Sequence, residues 1–281
     1  MGLKDYQPVR EMPETLVSVP SFIRGSFGKA FMQAYEKARK GNENLAFKEA
    51  QGDVFPGSNV LMTGLANLVF AQSGAGFRTV VPTDDIYKTI FPMIKGKHYA
   101  DLNALDVWQS SPSRDGNKGL WEQAHKLARQ HLKADPKGSF RIQGFYCAPN
   151  RSEKGYGVKI TPAGNFRVIE SDKLDLPTGT KFNSLDENGL VIPDKNGTFT
   201  KYTLGNGLSR VYSNDGGGLY SNGDGLADSN DGGRVVVVSA EGTAQKFSAE
   251  DYIKSVETEA QRKIQLAENI RKRALSELEK L

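Results

Sequence analysis

The chain has 281 residues, 25% of them charged and 38% apolar, the balance of a folded water-soluble protein and not of a disordered or membrane-embedded one. Its net charge of +4 is unevenly spread: residues 1–171 carry 23 basic and 16 acidic side chains, residues 172–233 carry 5 and 9, and residues 248–281 carry 7 of each. The longest apolar run, residues 60–71, falls short of the roughly twenty residues a bilayer requires, and the single cysteine, Cys147, excludes an intramolecular disulfide or a cysteine-built zinc cage.

The N-terminal stretch carries charges where a signal peptide needs its apolar segment, so a cytoplasmic location with no membrane partner is expected. Pro8, Pro13 and Pro20 make the first twenty residues an extended lead-in. Ser26 then caps a helix to about Gly41, with Phe27, Ala30, Phe31, Ala34, Tyr35 and Ala38 along one stripe. A second helix, from Ser58 to about Gln72, is apolar around most of its circumference, the mark of a buried element.

Gly74 and Gly76 signal a turn, residues 77–81 a short strand, and Thr83 the cap of a brief helix that Pro92 should end. The run HYADLNALDVW, residues 98–108, reads equally as strand or helix. From Asn117 to about Ala134, the spacing of Leu120, Trp121, Ala124, Leu127, Ala128 and His131 predicts an amphipathic helix, with Pro136 as a stop.

Between Ser139 and about Ala240 the pattern changes to short β-rich runs separated by turn residues. PAGN at 162–165 is the clearest hairpin signal among them. The last segment opens on Ser248 and Asp251, a capping box, and predicts one helix to the C-terminus. Ile253, Val256, Ile264, Ile270 and Leu278 lie on its apolar seam, which suits docking on the chain's own body, self-pairing or a protein partner. The expected fold class is therefore α+β: a helical N-terminal half (1–138), an antiparallel β-rich middle (139–247) forming a sheet or small barrel, and a long C-terminal helix (248–281), with 1–247 able to form one domain.

Three sets of residues are candidates for chemistry. His98 and Asp101 would meet on a helix, the acid orienting the imidazole as a general base in a hydrolase-like site. Asn222, Asp224, Asp228 and Asp231 sit in a glycine-dense stretch that matches the middle of a Ca²⁺ loop. Its ends do not match: Tyr220 stands at the first ligand position and Asp231 replaces the bidentate glutamate at the last. The competing reading of residues 216–233 is a connection between strands, since Gly, Asn and Asp reach left-handed turns cheaply. No other cofactor is implied. Lys95, Lys97, Tyr99 and Arg114, with Trp108 and Trp121, could serve as a cationic base-stacking surface for nucleic acid. Of these readings the leading one is a non-catalytic binding or assembly protein that uses its C-terminal helix for self- or partner association, with the enzyme and the nucleic-acid binder as alternatives.

Overall fold

The computed structural model describes residues 21–23, 25–48 and 56–239. Helix α1 (Gly25–Arg39) buries Phe31 and Tyr35. Phe31 stacks on Phe70 with centroids 4.9 Å apart, and the Tyr35 hydroxyl donates to the Leu45 carbonyl at 2.7 Å. Helix α2 (Val60–Ser73) starts at Asn59, whose side chain accepts the Met62 amide at 2.8 Å, and ends at the left-handed Gly74.

Strand β1 (Ser21–Phe22), strand β2 (Phe77–Thr79) and a C-terminal strand, β11 (Val236–Ser239), form a small antiparallel sheet in the order β1-β11-β2. Between β2 and β11 the chain builds α3 (Asp84–Ile94), β3 (Tyr99–Val107), α4 (Asp115–Leu132), β4 (Phe140–Pro149) and β5 (Val158–Glu170). It then adds β6 (Lys181–Leu185), β7 (Val191–Pro193), β8 (Phe199–Thr203), β9 (Leu208–Asn214) and β10 (Gly218–Gly223). These strands make an eight-stranded sheet in the order β5-β4-β3-β9-β10-β8-β6-β7. Every neighbouring pair is antiparallel except β10 with β8.

Two apolar clusters lie on the two faces of this sheet. On one face α1, α2 and α4 pack over Leu105, Val107, Phe140, Ile142, Phe145 and Cys147. On the other, Tyr87, Ile90 and Ile94 of α3 pack with Leu102, Phe182, Val211, Leu219, Val236 and Val238. The crossing of α2 over β4 is unusually close. A methyl group at Gly64 would lie 2.5 Å from the Cys147 sulfur and 2.9 Å from its amide nitrogen, so only glycine fits there.

The polar residues of α2 and β3 are accounted for inside this layer. Asn67 accepts the Thr79 amide at 2.6 Å and donates to the Phe145 carbonyl at 3.3 Å. Asn103 accepts the Phe145 amide at 2.7 Å and donates to the Thr63 hydroxyl at 3.1 Å. Both β3 and β4 shift register here, between Asp101 and Leu105 and between Gln143 and Phe145. The asparagines thus supply partners that the interrupted ladder cannot.

Several expectations are corrected by these observations. The N-terminal half is not a helical unit: α1 to α4 lie in it, but so does β3, which sits inside the large sheet between β4 and β9. Residues 98–108 were ambiguous because β3 is covered on both faces, so it shows no alternation of apolar and polar positions. The sheet is mixed, not antiparallel, because β8 and β10 run parallel. Helix α3 continues past Pro92 to Ile94. The PAGN stretch does not reverse the chain. Residues 158–162 and 167–170 both pair with β4, and residues 163–166 between them bulge opposite Gly144. The long helix expected at 248–281 lies outside the described residues, and nothing in the structure supports it.

Candidate functional site

The β9, β10 and β8 strands alternate regularly. Val211 and Ser213, Leu219 and Ser221, and Lys201 point into the α3 side or the sheet interior and are buried. The intervening positions are Tyr212, Tyr220 and Tyr202, each only partly buried on the opposite face. Register aligns them: Tyr220 pairs with Tyr202 on one side and Tyr212 on the other. The Tyr202 and Tyr220 rings stack with centroids 4.4 Å apart and planes 14° apart. Tyr220 and Tyr212 stack at 5.0 Å and 21°. Gly218, two residues before Tyr220 on the same face, lets the row form, since a methyl group there would collide with the Tyr220 ring.

The row continues onto β3. Tyr99 meets Tyr212 edge-on at 6.2 Å, and the Arg210 guanidinium lies over both rings, 4.7 Å from Tyr212 and 5.6 Å from Tyr99. Arg210 Nη1 reaches both carboxylate oxygens of the fully buried Asp101, at 3.3 and 3.4 Å. Burial pushes the Asp101 carboxyl above its ordinary value, and Arg210 and Ser58 oppose that rise. The Tyr99, Tyr212 and Tyr220 hydroxyls are pushed up, mainly by burial. For Tyr220 the neighbouring Tyr202, Tyr212 and Asp215 add to the rise. These phenols therefore stay protonated at neutral pH and act as hydrogen-bonding rings, not as bases.

The glycine-dense stretch closes over the Tyr99 end of the row. Its backbone carbonyls are gripped from below: Asn117 holds that of Asp224 at 2.7 Å, Asn59 that of Ala227 at 3.0 Å, and Arg210 that of Asp228 at 3.1 Å. The Tyr99 hydroxyl donates to the Ser58 carbonyl at 2.9 Å and accepts the Asn230 amide at 3.2 Å. Beside this stretch lies a groove of about 640 Å³ with Asn44, Phe47, Lys48, Asp228 and Ser229 on its walls. Lys48 leads directly into residues 49–55, outside the described set.

No family model, curated protein or solved structure matches the chain.

The sequence candidates distribute as follows. Asp101 lies in β3, and His98 just precedes it. Residues three apart on an extended chain leave on opposite faces, so the pair is not the helical one expected. Asp101 faces Arg210 and Ser58. His98 takes its electrostatic environment from Arg234 and Lys97, and burial lowers its pKa. Of the calcium candidates, Asp224 pairs with Arg114 at 3.1 Å, and the Asn222 side chain accepts from the Tyr212 hydroxyl at 3.3 Å. The Asp228 carboxylate folds back against Gly225. Asp231 uses its carbonyl to receive Arg234 at 2.7 Å. Among the described residues no group of three or more His, Cys, Asp or Glu converges as a metal site.

The nucleic-acid set is likewise dispersed. Lys95 and Lys97 are exposed after α3, with Lys95 above the Phe91 ring at 5.9 Å. Tyr99 is turned inward and Arg114 is paired with Asp224. Trp108 is buried and donates to Asp175 at 3.0 Å, and Trp121 donates to the Trp108 carbonyl at 2.8 Å. The partner-helix residues Ile253, Val256, Ile264, Ile270 and Leu278 lie outside the described residues. Sequence reasoning missed Tyr202, Tyr212, Tyr220 and Arg210. The available signal was a tyrosine in each of two β-rich runs, Tyr202 and Tyr212; Tyr220 fell in the glycine-dense stretch read as a connection, and only strand register brings the three side by side.

Proposed function

We propose that the chain is a non-catalytic binding protein whose contact surface for a protein partner is the row Tyr202–Tyr220–Tyr212, ending at Arg210. The observation that carries this reading is the stack itself: three part-exposed phenols, held in register on neighbouring strands. Tyrosine and arginine supply much of the energy of protein interfaces, and tyrosine does so with large area and a polar tip on only two side-chain torsions. The rings are already stacked and in register in the unbound chain, which lowers the ordering entropy that opposes association. Among the described residues no helix is long and apolar enough to cross a membrane. The cytoplasmic setting expected for the chain belongs to the same proposal.

The test is a selection of binders from a random peptide library on the full chain, followed by affinity measurements on variants. Tyr220→Ala, at the centre of the stack, is expected to weaken the selected ligands about thirtyfold, the effect of losing an interface anchor of about 2 kcal/mol. Ile192→Ala, a control on the edge strand β7, three strands from the β10 strand of Tyr220, should leave them unchanged. Ligands indifferent to Tyr220 would overturn the reading. Binding of RNA homopolymers that weakens steeply with salt and with loss of Lys95 and Lys97 would favour the nucleic-acid alternative.

A further inference from the structure

We infer that the outer face of Tyr202 is a receptor for an arginine side chain of the partner, an inference that rests on the binding reading above and specifies its chemistry. Tyr220 is covered on both faces by its neighbours, whereas among the described residues Tyr202 has one stacking partner, Tyr220. On its other side runs Thr178–Thr180, tied to β8 by the Gly179 amide donating to the Lys201 carbonyl at 2.8 Å. Gly179 has no side chain, and a methyl group added there would touch nothing within 4 Å. Among the described residues no second ring covers Tyr202, which is only partly buried, and this is the face offered to a planar group.

A guanidinium suits that face for two reasons. The first is the far end of the same row, where Arg210 already lies 4.7 Å above the Tyr212 ring. Guanidinium planes stack on tyrosine faces and are only weakly hydrated, so they lose little on leaving water. The second is charge. Residues 172–233, which carry all three tyrosines, hold nine acidic side chains against five basic ones. Three of those five cations are already engaged: Lys173 with Asp186, Lys201 with backbone carbonyls, and Arg210 with Asp101. Asp215 lies close enough to Tyr220 to raise its pKa. Of the other two, Lys195 is exposed, and Lys181 is the opposing cation, its ammonium resting at 2.9 Å on the hydroxyl of Thr200, two residues before Tyr202 on β8.

The experiment uses the full chain and fluorescein-labelled twelve-residue peptides of Gly and Ser carrying three arginines, three lysines, three glutamates or three phenylalanines. The arginine peptide is expected to bind at least fivefold tighter than each of the others. Tyr202→Ala should lower that affinity at least fivefold, Tyr202→Phe should retain it, and Lys181→Ala should raise it about twofold. Titration with arginine amide should shift the Tyr202 ring signals of tyrosine-labelled protein before those of Tyr212. Preference for phenylalanine or glutamate, or an arginine affinity unmoved by Tyr202→Ala in a variant that melts like the parent, overturns the inference. If library-selected ligands still depend on Tyr220 while none of these peptides binds, the arginine assignment fails and the binding reading stands.

Discussion

Arg210 Nη1 lies 3.3 Å from a carboxylate oxygen of Asp101, a residue with no exposed surface, while the same guanidinium covers the Tyr212 ring. The pair therefore anchors one end of the tyrosine row to the sheet interior. Removing the cation alone leaves a buried charge, which typically costs about 3–5 kcal/mol.

Arg210→Met is accordingly expected to destabilise the fold more than Asp101→Asn, with the difference read from urea midpoints at pH 7. The pH dependence has a definite sign. Burial lifts the Asp101 carboxyl above 3.8, so the folded chain binds this proton more tightly than the unfolded one. Its contribution to stability falls as pH rises from 3.8 through the folded pKa. Losing Arg210 raises that pKa further, so melts of Arg210→Met between pH 4 and 7 should show a steeper decline than wild type. Parallel curves would contradict the pairing.

Gly64 and Cys147 give a packing prediction. Gly64→Ala places a methyl group 2.5 Å from the Cys147 sulfur, an overpacked contact expected to cost about 1–3 kcal/mol. The double variant Gly64→Ala with Cys147→Ala should recover part of the loss, since the sulfur is gone, but not all, because the added carbon still lies 2.9 Å from the residue 147 amide nitrogen. Strict additivity of the two single changes in denaturation would contradict this crossing.

Lys201 offers a prediction on the alkaline side. Its ammonium is buried and donates to the carbonyls of Lys173, Leu174 and Leu176 at 2.9, 2.7 and 3.2 Å. Desolvation lowers its pKa to about 8, against an upward pull from Asp106 and a further push down from Arg141. Between pH 8 and 10.5 the unfolded chain thus binds more protons at this residue, so its contribution to stability rises with pH in that window and is lost as pH falls through 8. Lys201→Met abolishes this component. The stability difference between wild type and Lys201→Met should therefore shift in favour of wild type from pH 8 to 10, and a flat difference would refute the assignment.

The elements with local signatures were readable in sequence. The stripe in α1, the all-round apolar surface of α2, the Thr83 cap, whose hydroxyl accepts the Ile86 amide at 3.2 Å, and the amphipathic α4 follow from spacings within one turn or from one capping side chain. Strand β3 was not readable, because a strand buried on both faces loses the alternation that marks it. Pro92 misled for a related reason. It sits in the last turn of α3, where packing of Ile90 and Ile94 into the core outweighs a local break.

The sequence by itself determined that the segments of α1, α2 and α4 are helices, that Cys147 has no disulfide partner within the chain, and that the stretch from 172 to 233 is acidic and rich in turns. Only the tertiary structure decided that Tyr202, Tyr220 and Tyr212 share one face, that Arg210 meets Asp101 from 109 residues away, and that His98 and Asp101 do not form a helical pair. The reason is physical. Helical periodicity and capping are interactions over three or four residues, written directly into spacing, whereas a site assembled across strands depends on register. A slip of one residue would turn each tyrosine to the opposite face.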